Sequence, residues 1–244
     1  MRAVPLALSA RRPALGITGL TRPGTRTLRC MTHGTAQRPA GTGVRWLLHR
    51  LSAALGRART PIAIVALASL GPLVVGAALA TTGNTFALSQ RDGIVAAAQG
   101  SDITEAYEQN ERLEAALLDF RANVGAALVT SVTGLAVVGP LPIAAYRGWV
   151  GGLVSVDERH VSRLSQPGSA FYYLVTLALQ LIPYILASGA GMHLGIAAWR
   201  HRNDASVHSR MTLRIPDEAI RDVGWIWALA LPIFLAGSLF EFLM

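Results

Sequence analysis

Long uncharged apolar runs dominate the pattern of hydrophobic and polar positions along this chain. The first run, Pro61 to Ala80, contains 20 residues without a charge. That length matches the roughly 20 residues with which an α-helix crosses ~30 Å of hydrocarbon. Three further apolar stretches follow at 124–146, 171–199 and 223–243. The pattern therefore predicts an all-α protein that crosses a membrane several times.

Prolines interrupt the second apolar stretch. Gly139, Pro140 and Pro142 disfavour one continuous helix, because proline lacks a backbone donor and restricts the residue before it. We predict two shortened helices here, at about 123–139 and 143–156, that turn at the prolines. A break at membrane depth persists only where protein or a water-filled cavity shields the exposed backbone groups.

The number of spans depends on where the charged loops lie. With four spans, the loop 200–222 and its five arginines would lie outside, against the tendency of arginine to stay in the cytoplasm. With five spans that loop is cytoplasmic, so five are favoured over four. The expected fold is an all-α, polytopic membrane helical bundle of about five transmembrane helices with Gly/Pro-broken segments. The predicted spans are about 60–81, 123–139, 143–156, 171–199 with a kink at Pro183, and 223–243.

Two amphipathic segments flank the first span. Residues 44–58 combine apolar positions at helical spacing with arginines, which is typical of a basic helix lying in the lipid head-group region. Residues 83–121 carry seven acidic residues against three arginines and should lie outside. Apolar positions recur there at spacings of three and four, so we predict an external amphipathic helix at about 101–120. Residues 60–244 as a whole form the predicted integral membrane domain.

The composition favours lipid over water as the main solvent of the chain. Charged residues make up 15% and hydrophobic residues 52%, whereas a soluble domain carries about 25% charged residues. The 22 basic residues, all arginine, exceed the 14 acidic ones and give a net charge of +8. The single cysteine, Cys30, excludes a disulfide framework and a cysteine-based zinc site.

Positive charge is concentrated near the N-terminus. Residues 1–60 contain 11 arginines and no acid, which favours a cytoplasmic N-terminus in a bacterial cytoplasmic membrane. Residues 1–43 lack the apolar content for a core, so we expect a disordered arginine-rich leader. Two alternatives stay open for this leader: a targeting peptide, or a start codon assigned too early with Met31 as the true start.

The sequence contains no catalytic or cofactor-binding motif that we recognise. A G-x-S-x-G elbow, an H-E-x-x-H pair and a Walker loop are all missing, so we expect no enzyme activity, metal or cofactor. No nucleic-acid reading module accompanies the leader, and anionic lipid accounts for its charge with fewer assumptions. The pairs Gly148/Gly152 and Gly191/Gly195 have the small-xxx-small spacing of packed membrane helices.

Polar side chains inside the predicted spans are the candidate functional positions, because their burial in lipid is costly. They are Asn123 at the start of the second span, Arg147 beside the proline break, Gln180 midway along the fourth span and Glu241 near the end of the last. Hydrogen bonding between helices is the favoured interpretation of Asn123 and Gln180. An ion path or a contact with a partner is the alternative.

The order of these positions resembles the stage II sporulation protein M family of integral membrane proteins. The likeness covers roughly residues 60–244. The matching segments are Asn123, Gly139-Pro140-Leu141-Pro142, Arg147-Gly148-Trp149-Val150-Gly151-Gly152, Gln180-Leu181-Ile182-Pro183, Gly191, Gly195 and Ser238-Leu239-Phe240-Glu241. Many relatives carry an acidic residue near the position of Gln180, and here this chain departs from the family pattern.

The resemblance implies a non-catalytic membrane scaffold. The best-understood member of that family is a membrane partner for cell-wall-degrading proteins during forespore engulfment and is not itself a hydrolase. We therefore expect a scaffold or anchor for peptidoglycan-remodelling proteins of the cell envelope, with peptidoglycan hydrolases as candidate partners and membrane lipid around the spans. The contacts are expected at the helix 101–120 and at the glycine faces, and a homo-oligomer stays open. The rival is a membrane permease subunit whose broken helices line a substrate path at Arg147 and Gln180.

Overall fold

The computed structural model describes residues 43–202 and 215–243. These residues are mostly helical and contain no strand element, so the expected all-α bundle is confirmed. Four of their helices are long and apolar enough to cross a membrane. The predicted leader, except for its last residue, lies outside the described residues. The helices are α1 (Gly43–Thr81), α2 (Thr85–Gln99), α3 (Asp102–Glu108), α4 (Arg112–Thr133), α5 (Pro140–Leu153), α6 (Pro167–His201) and α7 (Asp217–Leu243).

The sequence predicts a separate interfacial helix at 44–58. In the structure this basic segment is the first part of α1, which continues unbroken into the first span. Two features hold this first part of α1 against the bundle. Ala54 and Ala58 are fully buried in a cluster with residues of α6 and α7. Trp46 packs edge-to-face on Trp225 of α7, with ring centroids 5.6 Å apart. Protein contacts therefore take one face of the segment and leave the other for lipid.

The predicted external helix at 101–120 is wrong as a single element. It divides into α3 and the first turns of α4, and Asn110 between them has a φ of 63°. Asparagine tolerates this left-handed conformation better than most residues, so it supplies the turn. The structure also adds α2, which the sequence analysis missed; the side chain of Asn84 caps its start by accepting a hydrogen bond from the backbone N–H of Ala87, at 3.1 Å.

The break in the second apolar stretch lies before the prolines rather than at them. Helix α4 ends at Thr133, and a short 3₁₀ turn follows at Gly134–Ala136. Helix α5 then begins at Pro140, three residues earlier than predicted. Prolines suit the first turn of a helix because the N–H groups there have no intrahelical acceptor. Pro140 and Pro142 therefore start a helix.

Close glycine contacts show that α5 runs parallel to α1. A Cβ atom built on Gly148 would overlap the carbonyl oxygen of Ser69, and one built on Gly152 would overlap that of Leu73. The residue numbers rise together along both helices, which fixes their common direction. These two glycines let the backbones of α1 and α5 touch, as the small-xxx-small spacing suggests.

The same reasoning makes α4 and α6 parallel to each other. Gly191 lies against the backbone of Ser131, and Gly195 lies against that of Gly134. Because α5 connects these two parallel helices, it must cross the bundle in the opposite direction. The chain therefore passes through the bundle five times. At 14 residues α5 rises only about 21 Å, which is why it falls short of a full span by length.

Helix α7 runs antiparallel to α6 and completes the bundle. Gln180 of α6 contacts Glu241 near the end of α7, whereas His193 lies beside Asp222 near its start. The bundle thus has two distinct ends. We call them the Arg57 end, where α7 begins, and the α2–α3 end, where α7 stops and the loop 154–166 lies.

Candidate functional site

A cavity of about 540 Å³, open to one side of the bundle, lies mainly between α5 and α6, toward the α2–α3 end. Three of the four polar positions singled out in the sequence line it: Arg147, Gln180 and Glu241. Asn123 does not line the cavity but hydrogen-bonds Tyr184, which does. The structure therefore gathers side chains from four different helices, far apart in sequence, around one space.

Glu241 occupies one wall of the cavity through two contacts with α6. The side-chain amide of Gln180 donates a hydrogen bond to its carboxylate. The hydroxyl of Tyr172 donates to its backbone carbonyl at 2.9 Å, and the Tyr172 ring stacks on Phe240. These contacts hold the C-terminal turn of α7 on α6 and aim the carboxylate into the cavity.

Arg147 forms the floor of the cavity against an aromatic ring. Its guanidinium carbon lies 3.5 Å from the centroid of the Tyr184 ring, which is a close cation–π contact. Within residues 43–202 and 215–243, no carboxylate oxygen lies within 4.0 Å of its nitrogens. Among the described residues, Tyr184 is thus the main neighbour that stabilises its charge.

Behind that floor, hydrogen bonds connect Tyr184 to α4 and α7. Tyr184 donates from its hydroxyl to the Oδ1 of Asn123 at 2.8 Å, and the Asn123 amide donates to Asp119 at 2.9 Å. Ser238 of α7 donates to the same Asp119 oxygen at 2.6 Å. Asn123 thus bonds a neighbouring helix, which is the interpretation that the sequence favours, but it lies midway along α4 rather than at its start.

Sequence reasoning missed Asp119, Tyr184 and Ser238. Asp119 was assigned to an external helix, so its position four residues before Asn123 on one helix face carried no weight. Residues four apart on a helix are neighbours, and this spacing was the available signal. Tyr184 and Ser238 carried no comparable signal, because single hydroxyl groups are common in apolar spans.

The glycine positions picked out in the sequence lie on both sides of the cavity: Gly191 and Gly195 lie toward the Arg57 end, and Gly152 lies next to Gly151 of the cavity wall, toward the α2–α3 end. Gly191 and Gly195 hold α6 against α4 and the turn that follows it, and Gly139 lies so close to Thr133 that a Cβ atom would overlap its carbonyl oxygen. Pro140 and Pro183 are fully buried. These contacts are within one chain, so the glycine faces at these positions are used for folding rather than left free for a second copy.

A second charged cluster lies at the Arg57 end. Arg57 donates two hydrogen bonds to the carboxylate of Asp222, from Nε at 2.8 Å and from Nη2 at 2.6 Å. Its Nη1 also lies 3.2 Å from Glu218. His193 brings Nε2 to 3.3 Å from Asp222, without hydrogen-bond geometry. Of the described residues, no three His, Cys, Asp or Glu side chains are grouped to hold a metal ion.

The α2–α3 end carries a smaller set of ionic contacts around Asp92. Arg91 donates to this carboxylate at 2.9 Å, and His160 approaches it at 3.3 Å. The hydrogen bond from Arg91, and then that from His160, lowers the pKa of Asp92. Asp157 accepts the backbone N–H groups of Val161 and Arg159, which lowers its pKa as well. His160 thus pairs with Asp92 of α2 and helps to hold the loop in place.

The arrangement of the cavity suits binding. It presents two cations, Arg147 and Arg163, and one carboxylate, Glu241, with apolar walls and a buried hydroxyl, Thr176 Oγ1, that makes no hydrogen bond of good geometry. Ligand sites in proteins combine these features, a mostly apolar surface with a few converging polar groups. No pairing of nucleophile and base is present among these lining groups.

Comparison with known proteins gives one match. The family model for stage II sporulation protein M matches residues 63–243, roughly three quarters of the chain. The match includes every residue of the cavity and leaves out Arg57. No curated protein matches, and no solved structure matches.

Proposed function

The chain belongs to the stage II sporulation protein M family, and from this premise we propose that it is a non-catalytic scaffold or anchor for envelope-remodelling partners. Peptidoglycan hydrolases are the partners we put forward. The observation that carries the proposal is that the bundle interior is closed between its two charged clusters. A bundle closed in this way offers no continuous path between its two ends, and it can hold a partner in place.

The closure lies directly behind Arg147. The small space there, bounded by Val65, Ser69, Thr130 and Ser188 among others, has no room for a water molecule. Ser69 and Thr130 donate their hydroxyl hydrogens to carbonyls of their own helices, at 3.0 and 2.8 Å. They therefore have no hydroxyl hydrogen left to donate to a moving anion. Closer still to the Arg57 end, the glycines of α6 press on the backbone of α4.

We place the protein in a bacterial cytoplasmic membrane with its N-terminus in the cytoplasm. The 11 arginines of residues 1–60 support this orientation. Arg200 and Arg202, at the last turn of α6, belong to the same end as Arg57 and support it further. The α2–α3 end then faces outward, where wall-remodelling proteins act.

The partner surface in this proposal is the outward cap formed by α2, α3 and the first turns of α4. It exposes apolar side chains at Phe86, Tyr107 and Leu113. Exposed acidic residues lie on α3, on the first turns of α4 and between them, at Asp102, Glu105, Glu108, Glu111 and Glu114. Exposed apolar side chains within a polar rim are typical of protein contact sites.

The test is a cross-linked pull-down of the tagged protein from its native membrane, read by mass spectrometry. We expect peptidoglycan hydrolases with the wild type and a loss of most of that signal with Tyr107→Ala/Leu113→Ala. A matched control, Val44→Ala/Leu48→Ala, removes exposed apolar side chains from the opposite end and should leave recovery unchanged. Recovery of a stoichiometric cytoplasmic ATPase without hydrolases would sink the scaffold proposal.

A permease subunit is the second candidate, favoured by the cavity itself. Arg147 and Gln180 line it, as a substrate path would require. This alternative expects Gln180→Ala to change solute flux while leaving the complexes of the protein intact. Unchanged flux in proteoliposomes that contain wild type and Gln180→Ala would count against it.

A further inference from the structure

We propose that the cavity between α5 and α6 binds a zwitterionic head group, with a primary ammonium and an anionic group, supplied by an aminophospholipid of the surrounding membrane. The inference is independent of the scaffold role. It starts from Arg147 and Glu241, which carry opposite charges, line the same cavity and do not form an ion pair with each other. Nothing in the family match assigns a ligand to this cavity.

The first step is the absence of ion pairing at both charges. Over the described ranges, Arg147 has no carboxylate oxygen within 4.0 Å, and Glu241 has no cationic nitrogen within that distance. Glu241 receives only the amide hydrogen bond from Gln180. An unpaired charge away from water is costly, and here Arg147 and Glu241, two unpaired groups of opposite sign, line the same cavity.

The second step is the sign of the ligand. An anion alone would pair with Arg147 but meet the carboxylate of Glu241, and a cation alone would meet the opposite problem. A ligand with both charges can place its anionic group at Arg147 and its ammonium at Glu241. Arg163, which also lines the cavity, adds a second cation suited to a phosphate.

The third step is the supply of uncommitted hydrogen-bonding groups. The hydroxyls of Tyr172, Tyr173 and Tyr184 already donate to protein acceptors at 2.8–2.9 Å. Thr176 Oγ1, by contrast, lines the cavity and is buried near the Tyr172 hydroxyl, without a hydrogen bond of good geometry. A buried hydroxyl without such a bond is uncommon, and a polar head group next to it would supply one.

The fourth step is access from lipid. The cavity walls come mainly from α5 and α6, and among them Tyr146 is 61% exposed, so the cavity reaches the side of the bundle. Ile143, Val150 and Leu177 line the walls with apolar groups. A volume of about 540 Å³ holds a head group and the first methylenes of its chains. The remaining chain would extend into the membrane along the exposed flank.

The experiment is native mass spectrometry of the protein purified in a mild non-ionic detergent. It is titrated with phosphatidylethanolamine, phosphatidylcholine and phosphatidylglycerol of identical acyl chains. We expect phosphatidylethanolamine to bind at one per chain and about tenfold more tightly than phosphatidylcholine, whose trimethylammonium cannot donate a hydrogen bond to Glu241. This comparison needs only the wild type. Equal binding of the three lipids would overturn the proposal.

Variants locate the site. Arg147→Gln and Glu241→Gln should each weaken phosphatidylethanolamine binding about tenfold. The matched controls Arg121→Gln and Glu108→Gln remove the same charges from exposed positions and should bind as the wild type does. Undiminished binding in both cavity variants would overturn the proposal. Free phosphoethanolamine is the last arm, and its saturable binding with the affinity of the lipid would overturn the lipid as the source.

Discussion

The two charged regions of this bundle use the same residue types in opposite ways. At the Arg57 end, a guanidinium and the nearly inaccessible Asp222 carboxylate meet through two short hydrogen bonds. In the cavity, Arg147 lies on a tyrosine ring and Glu241 on an amide, and the two charges stay apart. The paired region has the form of a structural link between α1 and α7, and the unpaired region has the form of a site.

In a membrane protein, the pairing of buried charges distinguishes a structural contact from a binding site. A paired cluster satisfies its own groups and gains little from a ligand. Two buried charges that do not contact each other destabilise the protein when the site is empty. Binding of a ligand with complementary charges removes that cost. The following predictions test whether this contrast between the two regions holds.

The largest effect is expected in the layer that separates the regions. Gly191→Ala places a Cβ atom where the carbonyl oxygen of Ser131 lies, so α4 and α6 must move apart. We expect a loss of about 4 kcal/mol or more of unfolding free energy, or no folded protein. Gly224→Ala is the matched control, because its Cβ would meet open space on α7. Thermal unfolding in detergent checks both, and equal melting temperatures for the two variants would contradict the packing described here.

A smaller loss is expected from breaking the paired region. Asp222→Ala leaves the guanidinium of Arg57 without its bidentate partner, and Arg57 is 42% exposed, so water recovers part of the energy. We expect a loss of about 2 kcal/mol. Glu218→Ala, at a more exposed member of the same network, should change stability by less than about 0.5 kcal/mol. A similar loss in both variants would mean that the bidentate contact has no special weight.

The unpaired region should respond differently to loss of its cation. Arg147→Gln removes a costly charge together with its contact to Tyr184, and these two terms have opposite signs. We expect a net change within about 1 kcal/mol, measured in the same unfolding experiment. A loss as large as that of Asp222→Ala would show that Arg147 is a structural residue and would remove the contrast between the regions.

The smallest effect is expected at the exposed contact that joins α2 to the loop 154–166. Because Arg91 and His160 lower the pKa of Asp92 below its ordinary value of 3.8, its ionised form stabilises the folded state. That stabilisation is complete above the pKa of the unfolded state and is lost as the pH falls through the lower pKa of the folded state. Asp92→Asn should therefore melt below the wild type at pH 7, and the gap should close in acid. A gap that is constant with pH would exclude this ionic origin.

Much of the bundle follows from the pattern of apolar residues. The runs at 61–80, 171–199 and 223–243 predict three of the long helices, and their boundaries differ mainly where polar residues extend a helix into its surroundings. The errors concern local chain direction. Asparagine only tolerates a left-handed φ, and proline is compatible with either the end or the first turn of a helix, so the local sequence left the roles of Asn110 and Pro140 open.

The sequence predicts the individual polar residues of the candidate site but not that they lie close together. Burial cost alone singles out Asn123, Arg147, Gln180 and Glu241, because lipid penalises polar groups wherever they fall along a span. Whether such groups meet depends on helix direction and rotation, which arise from contacts between distant segments. The same limit explains why Asp222 and Arg57, 165 residues apart, were not recognised as partners.

That this chain crosses a membrane as helices follows from its apolar runs, because about 20 consecutive uncharged residues have few alternatives to a helical span. The same sequence identifies the family, whose model matches residues 63–243. Only the tertiary structure decided which charges pair and which stay apart. Pairing requires two side chains within a few ångströms, and that distance is set by the backbone contacts of Gly148, Gly191 and their neighbours rather than by spacing along the chain.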